Sequence, residues 1–254
     1  MKYLKSFNSV QEQKQYMSNH WFTPYVYMFT NKTLDYEQKY IPIEYISSTQ
    51  TGGQYIDLGC KLMENTDDIK LDIKFNIKGF GKGDDITAQS TLIASQPEVS
   101  PYPGFTLRKA GPAKDNRQYV SLCAKWQFEN SRADSYNRYY SNILRSPWSN
   151  ESYNSNTHST INNIYERSFL LNNIPQSQCH NTNCHLFCAL NSSYQPFRFV
   201  EADLYYLRFI KGGVIIRDLI PAINKEGIAG LYDKANKKFY QSEGDEEFVA
   251  GPSI

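Results

Sequence analysis

Residues 69–78, IKLDIKFNIK, alternate without a break: Ile69, Leu71, Ile73, Phe75 and Ile77 fall on one face, Lys70, Asp72, Lys74, Asn76 and Lys78 on the other. A period of two belongs to a β-strand and not to a helix, and the split into apolar and charged sets asks for a sheet buried on one side and solvated on the other. Antiparallel sheets present faces of that kind. The same repeat runs through Ile56, Leu58 and Cys60, through Val120, Leu122, Ala124, Trp126 and Phe128, and through Leu186, Cys188 and Leu190. Four inward-facing stripes are thus predicted. Turn-rich stretches separate them: Gly79 to Asp85, the Pro97, Pro101 and Pro103 loop, Asn191 to Ser193, and the Gly212 and Gly213 pair. Many short strands with such punctuation predict an all-β sandwich or jelly roll, and the 20 Tyr and 14 Phe residues suit pleated sheet.

The first 40 residues read differently. YLKSF is a short strand, Ser9 caps a helix over VQEQKQYMSN with Glu12 completing a capping box, and YVYMFT and TLDYEQ flank Asn31 and Lys32 as a hairpin. Such a unit has little core of its own and must dock on something. A boundary is expected near Tyr40 to Pro42, because proline interrupts a regular ladder. The chain therefore divides into an N-terminal module, 1–40, and one large sandwich domain, 41–254.

With 27 Lys and Arg against 26 Asp and Glu, the net charge of +1 supplies no field for a nucleic acid backbone or an anionic membrane. No apolar run approaches the ~20 residues of a membrane helix, and the start, MKYLKSFNSVQEQ, lacks the apolar core of a signal peptide. A soluble chain made in the cytoplasm is expected. Five cysteines, an odd number, with Cys60 and Cys123 isolated, read as reduced, buried thiols and not as a disulfide framework.

Residues 129–160 form a long polar stretch with few aliphatic side chains but with Tyr136, Tyr139, Tyr140, Trp148 and Tyr153. A structureless excursion of this length is uncommon inside a domain, so it holds either a hidden hairpin or a binding loop. The five rings are the candidate binding surface; the alternative is that they cover the edge of the sandwich.

Nothing in the sequence composes a catalytic centre. Cys179, Cys184 and Cys188 with His180 and His185 are spaced unlike a zinc knuckle, and on a strand His185 would point away from Cys188. Glu243, Asp245 and Glu247 have the look of paired glycosidase carboxylates but flank Gly244 in what reads as a solvated turn. Asp67 with Asp68 and Asp84 with Asp85 form no complete calcium loop, and GFGKGDD has no strand-to-helix setting for a phosphate. No metal and no cofactor are expected.

The segment YISSTQTGGQYIDLG, 45–59, resembles the opening of a laminin G-like, concanavalin A-like jelly roll common in structural proteins of gut bacteriophages, with Leu58 in place of the usual Thr and an extra Gly after Thr51. HLFCALN, 185–191, and LYYLRFIKGGVIIRDLIPAINKEGIAGLYDKANKKFYQSEGDEEFVAGP, 204–252, resemble the closing strands, with Ile216 replacing a Val. Residues 1–40 resemble the short leader ahead of such domains in crAss-like phages. The resemblance implies a non-enzymatic virion protein: a head-fibre or auxiliary decoration protein, attached to other capsid or fibre proteins through 1–40 and assembled as a symmetric homo-oligomer. A carbohydrate-binding module that recognises a host surface glycan is the second reading, and a glycanase the third.

Overall fold

The computed structural model describes residues 40–49, 52–80, 90–96, 103–110, 119–133, 138–145 and 164–254. The expected N-terminal helix and hairpin lie outside the described residues. Tyr40–Ile254 forms one compact unit. Among the described residues it is an all-β structure with a single 3₁₀ turn, Gln176–Gln178, and no α-helix. The strands in chain order are β1 (Tyr40–Pro42), β2 (Ile46–Ser47), β3 (Ile56–Asp57), β4 (Ile69–Phe80), β5 (Ser90–Ser95), β6 (Phe105–Ala110), β7 (Tyr119–Ala124), β8 (Arg132–Ala133) and β9 (Tyr139–Arg145). There follow β10 (Tyr165–Leu171), β11 (His185–Leu186), β12 (Ala189–Leu190), β13 (Pro196–Phe197), β14 (Val200–Lys211), β15 (Val214–Asn224), β16 (Ala229–Asp233), β17 (Lys238–Tyr240) and β18 (Val249–Ala250).

Two antiparallel sheets pack face to face. The nine-stranded sheet runs β10-β4-β14-β15-β16-β17, with β1, β2 and β18 attached; the seven-stranded sheet runs β3-β11-β5-β6-β7-β9-β8. One core joins them, with Leu71, Phe75, Leu207 and Phe209 from the first sheet and Ile93, Leu107, Leu122 and Leu186 from the second. All five apolar residues of the alternating run in β4 are buried, as the period of two requires. On the other face Asn76 departs from expectation, being buried too.

The hairpins follow local chemistry. Gly212 and Gly213 both take positive φ in the two-residue turn from β14 to β15, the geometry that matches the twist of the strands. At the β16 to β17 turn the Asp233 carboxylate accepts from the backbone N–H of Ala235 and Asn236, and Lys237 takes a left-handed φ. The Asn191 to Ser193 turn is closed by the Asn191 side chain, which accepts from the N–H of Ser193 and Gln195.

Pro42 is the last residue of β1, opposite Ala222. Ile43 donates to the Pro221 carbonyl, which places the Pro42 nitrogen on the side away from β15, where no ladder bond is lost. Two sequence expectations fail locally. The run Leu186, Cys188 and Leu190 is not one strand: Phe187 takes a φ of 63°, so the chain leaves the seven-stranded sheet after β11 and pairs β12 with β13. His185, expected outside, is 8% exposed as a result. Gly251 and Pro252 do not end the ladder, because Gly251 donates to Tyr45 O, Glu44 donates to Pro252 O, and Ser253 bridges Ile43.

That last seam organises the fold. β14 and β15 pair only from Leu207 and Leu219 to the hairpin; beyond it they part, β2 pairing with β14 and β1 with β15, while β18 lies on β2. Both ends of the described chain are thereby tied into the middle of one sheet.

Candidate functional site

Of the five rings proposed from sequence, Tyr136, Trp148 and Tyr153 lie outside the described residues. Tyr139 and Tyr140 begin β9, which pairs with β7 on one side and with β8 on the other. The polar stretch does contain a hidden hairpin, β8 with β9. Tyr139 packs half-buried against the core, so it is an edge cover. Tyr140 is different. Its hydroxyl accepts from Arg108 Nη2 at 3.2 Å, and the guanidinium carbons of Arg108 and Arg138 stand 5.7 and 5.6 Å from its ring centre. Two guanidinium groups, one of them on the buried Arg108, thus contact one half-buried phenol near the rim of the seven-stranded sheet.

The outer face of the nine-stranded sheet holds a larger cluster that the alternation did not reveal. In β14 the register against β4 shifts between Leu204 and Tyr206, so a bulge turns Tyr205 and Tyr206 toward the same side. Tyr205 meets the Tyr45 ring at 5.2 Å and carries Lys74 Nζ 5.1 Å from its centre, while the Tyr206 hydroxyl donates to Glu166 at 3.0 Å. Burial, with Asp203 and Glu44 nearby, pushes the Tyr205 phenol up to about 12; burial and the Glu166 hydrogen bond push Tyr206 up to about 12 as well. The signal was present in LYYLRF, since the inward residues Leu204 and Leu207 are three apart where unbroken pleating demands two.

Beside these rings Asp203 is buried, its side chain 6% exposed. It accepts from Ser47 Oγ and from Asn76 Nδ2 and pairs with the Lys78 ammonium. Ser47 and Asn76 are its direct neighbours on the two flanking strands, which is why Asn76 is buried on the face expected to be solvated. A third aromatic group, Tyr40 with Tyr232 at 4.5 Å and Phe239 at 5.2 Å, stacks where β1 enters the sheet.

The other sequence candidates are dispersed. Glu243, Asp245 and Glu247 are exposed, and Glu243 Oε1 accepts from the Asp57 N–H. His180 donates to Ser95 O at 2.8 Å, with its basicity lowered by burial, and His185 bonds Asn183 O at 3.0 Å through Nδ1. All five cysteines are free thiols. Burial pushes the Cys60 thiol up to about 11 and those of Cys184 and Cys188 well above their ordinary value, so these three are not thiolates near neutral pH. Cys60, expected buried, is only half-buried, where Gly59 takes a left-handed φ and bends the chain. Among the described residues no three His, Cys, Asp or Glu side chains are grouped to hold a metal. Asp67 hydrogen-bonds Asn65, while Asp84 and Asp85 lie outside the described residues.

Comparison with protein-family models, curated proteins and solved structures finds no match to this chain. What the described surface offers is contact chemistry: tyrosines fixed by carboxylates and cations on rigid strands, suited to binding a partner with little loss of side-chain entropy.

Proposed function

We propose that this chain is a non-enzymatic structural protein of a bacteriophage virion, a head-fibre or decoration protein displayed on the particle and attached by residues 1–40. The sandwich, on this reading, is a laminin G-like, concanavalin A-like jelly roll. The observation that carries it is the seam. The segments 45–59 and 204–252, which bear the sequence resemblance, are far apart in the chain and directly paired in space. Ile46 and Ser47 lie opposite Ala250 and Val249, Tyr45 O accepts from the Gly251 N–H at 2.8 Å, and Tyr55 O accepts from the Glu243 N–H at 2.9 Å. Gln54 Nε2 adds a bond to Glu247 O. Opening and closing strands thus behave as one unit, as a single domain with its ends together requires.

The seam also suits display. β1, the first described strand, is fixed in the sheet by ladder bonds and ring stacking, and residues 1–39 precede it in the chain. Antibodies against the sandwich should label intact purified particles, and the chain should appear in their protein inventory at a fixed stoichiometry. Its absence from particles would refute the proposal. Binding of the isolated chain to a glycan array, without incorporation into particles, would favour the carbohydrate-binding reading, for which Tyr140 between two arginines is the supporting feature.

A further inference from the structure

The nine-stranded sheet ends on β10, and no described strand lies beyond it. β10 runs seven residues, YERSFLL, without Pro or Gly and in unbroken register with β4, from Tyr165 opposite Phe75 to Leu171 opposite Ile69. Among the described residues nothing pairs with the far side of this straight row of peptide groups, and a row of this length is a template for another strand. Glu166, Arg167 and Ser168 are exposed on it, and Ile164, at 53% exposure, stands at its head. The Glu166 carbonyl accepts from the chain's own Arg167 Nη1 at 2.8 Å, which assigns the outward peptide groups to Glu166, Ser168 and Leu170. On the outer face the side chains are held clear of the edge, Glu166 by Tyr206 and Ser168 by Asp72.

We propose that β10 pairs with the same strand of a second copy, antiparallel across a two-fold axis through Ser168, joining two nine-stranded sheets into one. Charge selects the register. An axis through Glu166 would set Glu166 against itself and one through Arg167 would set Arg167 against itself, and like charges directly opposite destabilise a ladder. Ser168 is also the middle residue of Tyr165–Leu171, so an axis there pairs the whole strand. It places Arg167 opposite Phe169 of the second copy, Tyr165 opposite its Leu171 and Glu166 opposite its Leu170. Arg167 must leave the Glu166 carbonyl for the ladder to close, which makes it the guard of the edge. A single strand pair buries less than the ~1,600 Å² of a standard interface, so the contact is weak in free solution and fills at high local concentration. The inference does not depend on the virion reading.

Sedimentation velocity of the full chain over a rising concentration series tests it, with a monomer to dimer shift expected. Ser168→Pro removes an edge donor without touching a backbone bond to β4 and should stay monomeric at every concentration; it also loses the Ser168 Oγ bond to Asp72, so its melting temperature should match that of Ser168→Ala, which loses the same bond, keeps the donor and should dimerise like wild type. Ser168→Cys, oxidised by glutathione disulfide, should form an intermolecular S–S bond, the two thiol hydrogens and electrons passing to give two reduced glutathiones. Residues opposite each other in a hydrogen-bonded pair have Cα atoms about 5.5 Å apart, within disulfide reach. Leu170→Cys, off the axis, should cross-link far more slowly. A wild-type chain monomeric throughout, a folded Ser168→Pro variant that dimerises like wild type, or equal cross-linking at 168 and 170 would each overturn the proposal. Should Ser168→Pro not fold, the two cysteine variants decide alone.

Discussion

β4 and β5 are consecutive strands that end in opposite sheets, and their polar residues live in different surroundings. On β4 the polar face is in use: Asp72 meets Lys70 and Ser168, and Lys74 lies over Tyr205. β5 is buried on both faces, and so are the described side chains of β6 from Phe105 to Lys109. Ser90, Ser95 and Thr106 keep buried hydroxyls without a hydrogen-bond partner there. Lys109, 1% exposed, has its ammonium pKa lowered by burial to about 8. One sheet therefore separates polar from apolar by face, while the other accepts polar groups inside, at a cost of roughly 1–3 kcal/mol for each unmet hydroxyl.

The sharpest test of the first half of this contrast is Leu71→Ala, which should cost about 2–5 kcal/mol in denaturant unfolding. Asp203→Ala comes next, because it strands Ser47, Asn76 and Lys78 on a nearly closed face; a loss of about 1–3 kcal/mol is expected. Alkaline titration probes the same face. The Tyr205 and Tyr206 phenols are pushed up to about 12 from an ordinary 10, so the unfolded chain ionises first. Their stabilising contribution is complete below pH 10 and is lost as pH rises from 10 through 12. Tyr206→Phe should flatten that decline in melting temperature, and an unchanged slope would mean that Tyr206 is not the group responsible.

The two strands also explain what could be read in advance. β4 declared itself because water on one face imposes period two, and its stripe lies in the core as the alternation requires. STLIAS and FTLRK carry no such period, since neither face of them meets water, and neither strand was recognised. Among the candidate rings Tyr139 and Tyr140 divide into a core cover and a rim contact, a difference set by the strand pairing of β9 and invisible in composition. Tyr205 and Tyr206 were missed because a bulge is a defect in the pattern that periodicity relies on.

The second half of the contrast has a smaller and opposite signature. Thr106→Val exchanges a buried, unpartnered hydroxyl for a methyl group and should be neutral or stabilise by up to about 1 kcal/mol. Destabilisation there comparable to Asp203→Ala would show that the seven-stranded sheet uses its polar groups after all. Smallest of all, Lys74→Ala should stay within about 0.5 kcal/mol, since its ammonium lies over the Tyr205 ring on a partly solvated face. Equal losses at Leu71 and Lys74 would erase the distinction between the two faces of β4.

The central claim is that the sandwich from Tyr40 onward stands by itself while residues 1–39 serve attachment. Deleting 1–39 and measuring both thermal unfolding and incorporation into particles addresses it directly. The account predicts a fragment 40–254 that unfolds in one cooperative transition at the full chain's melting temperature and is missing from purified particles. A fragment that still incorporates at the full chain's level would contradict the attachment role, and one that cannot fold would contradict the independence of the sandwich.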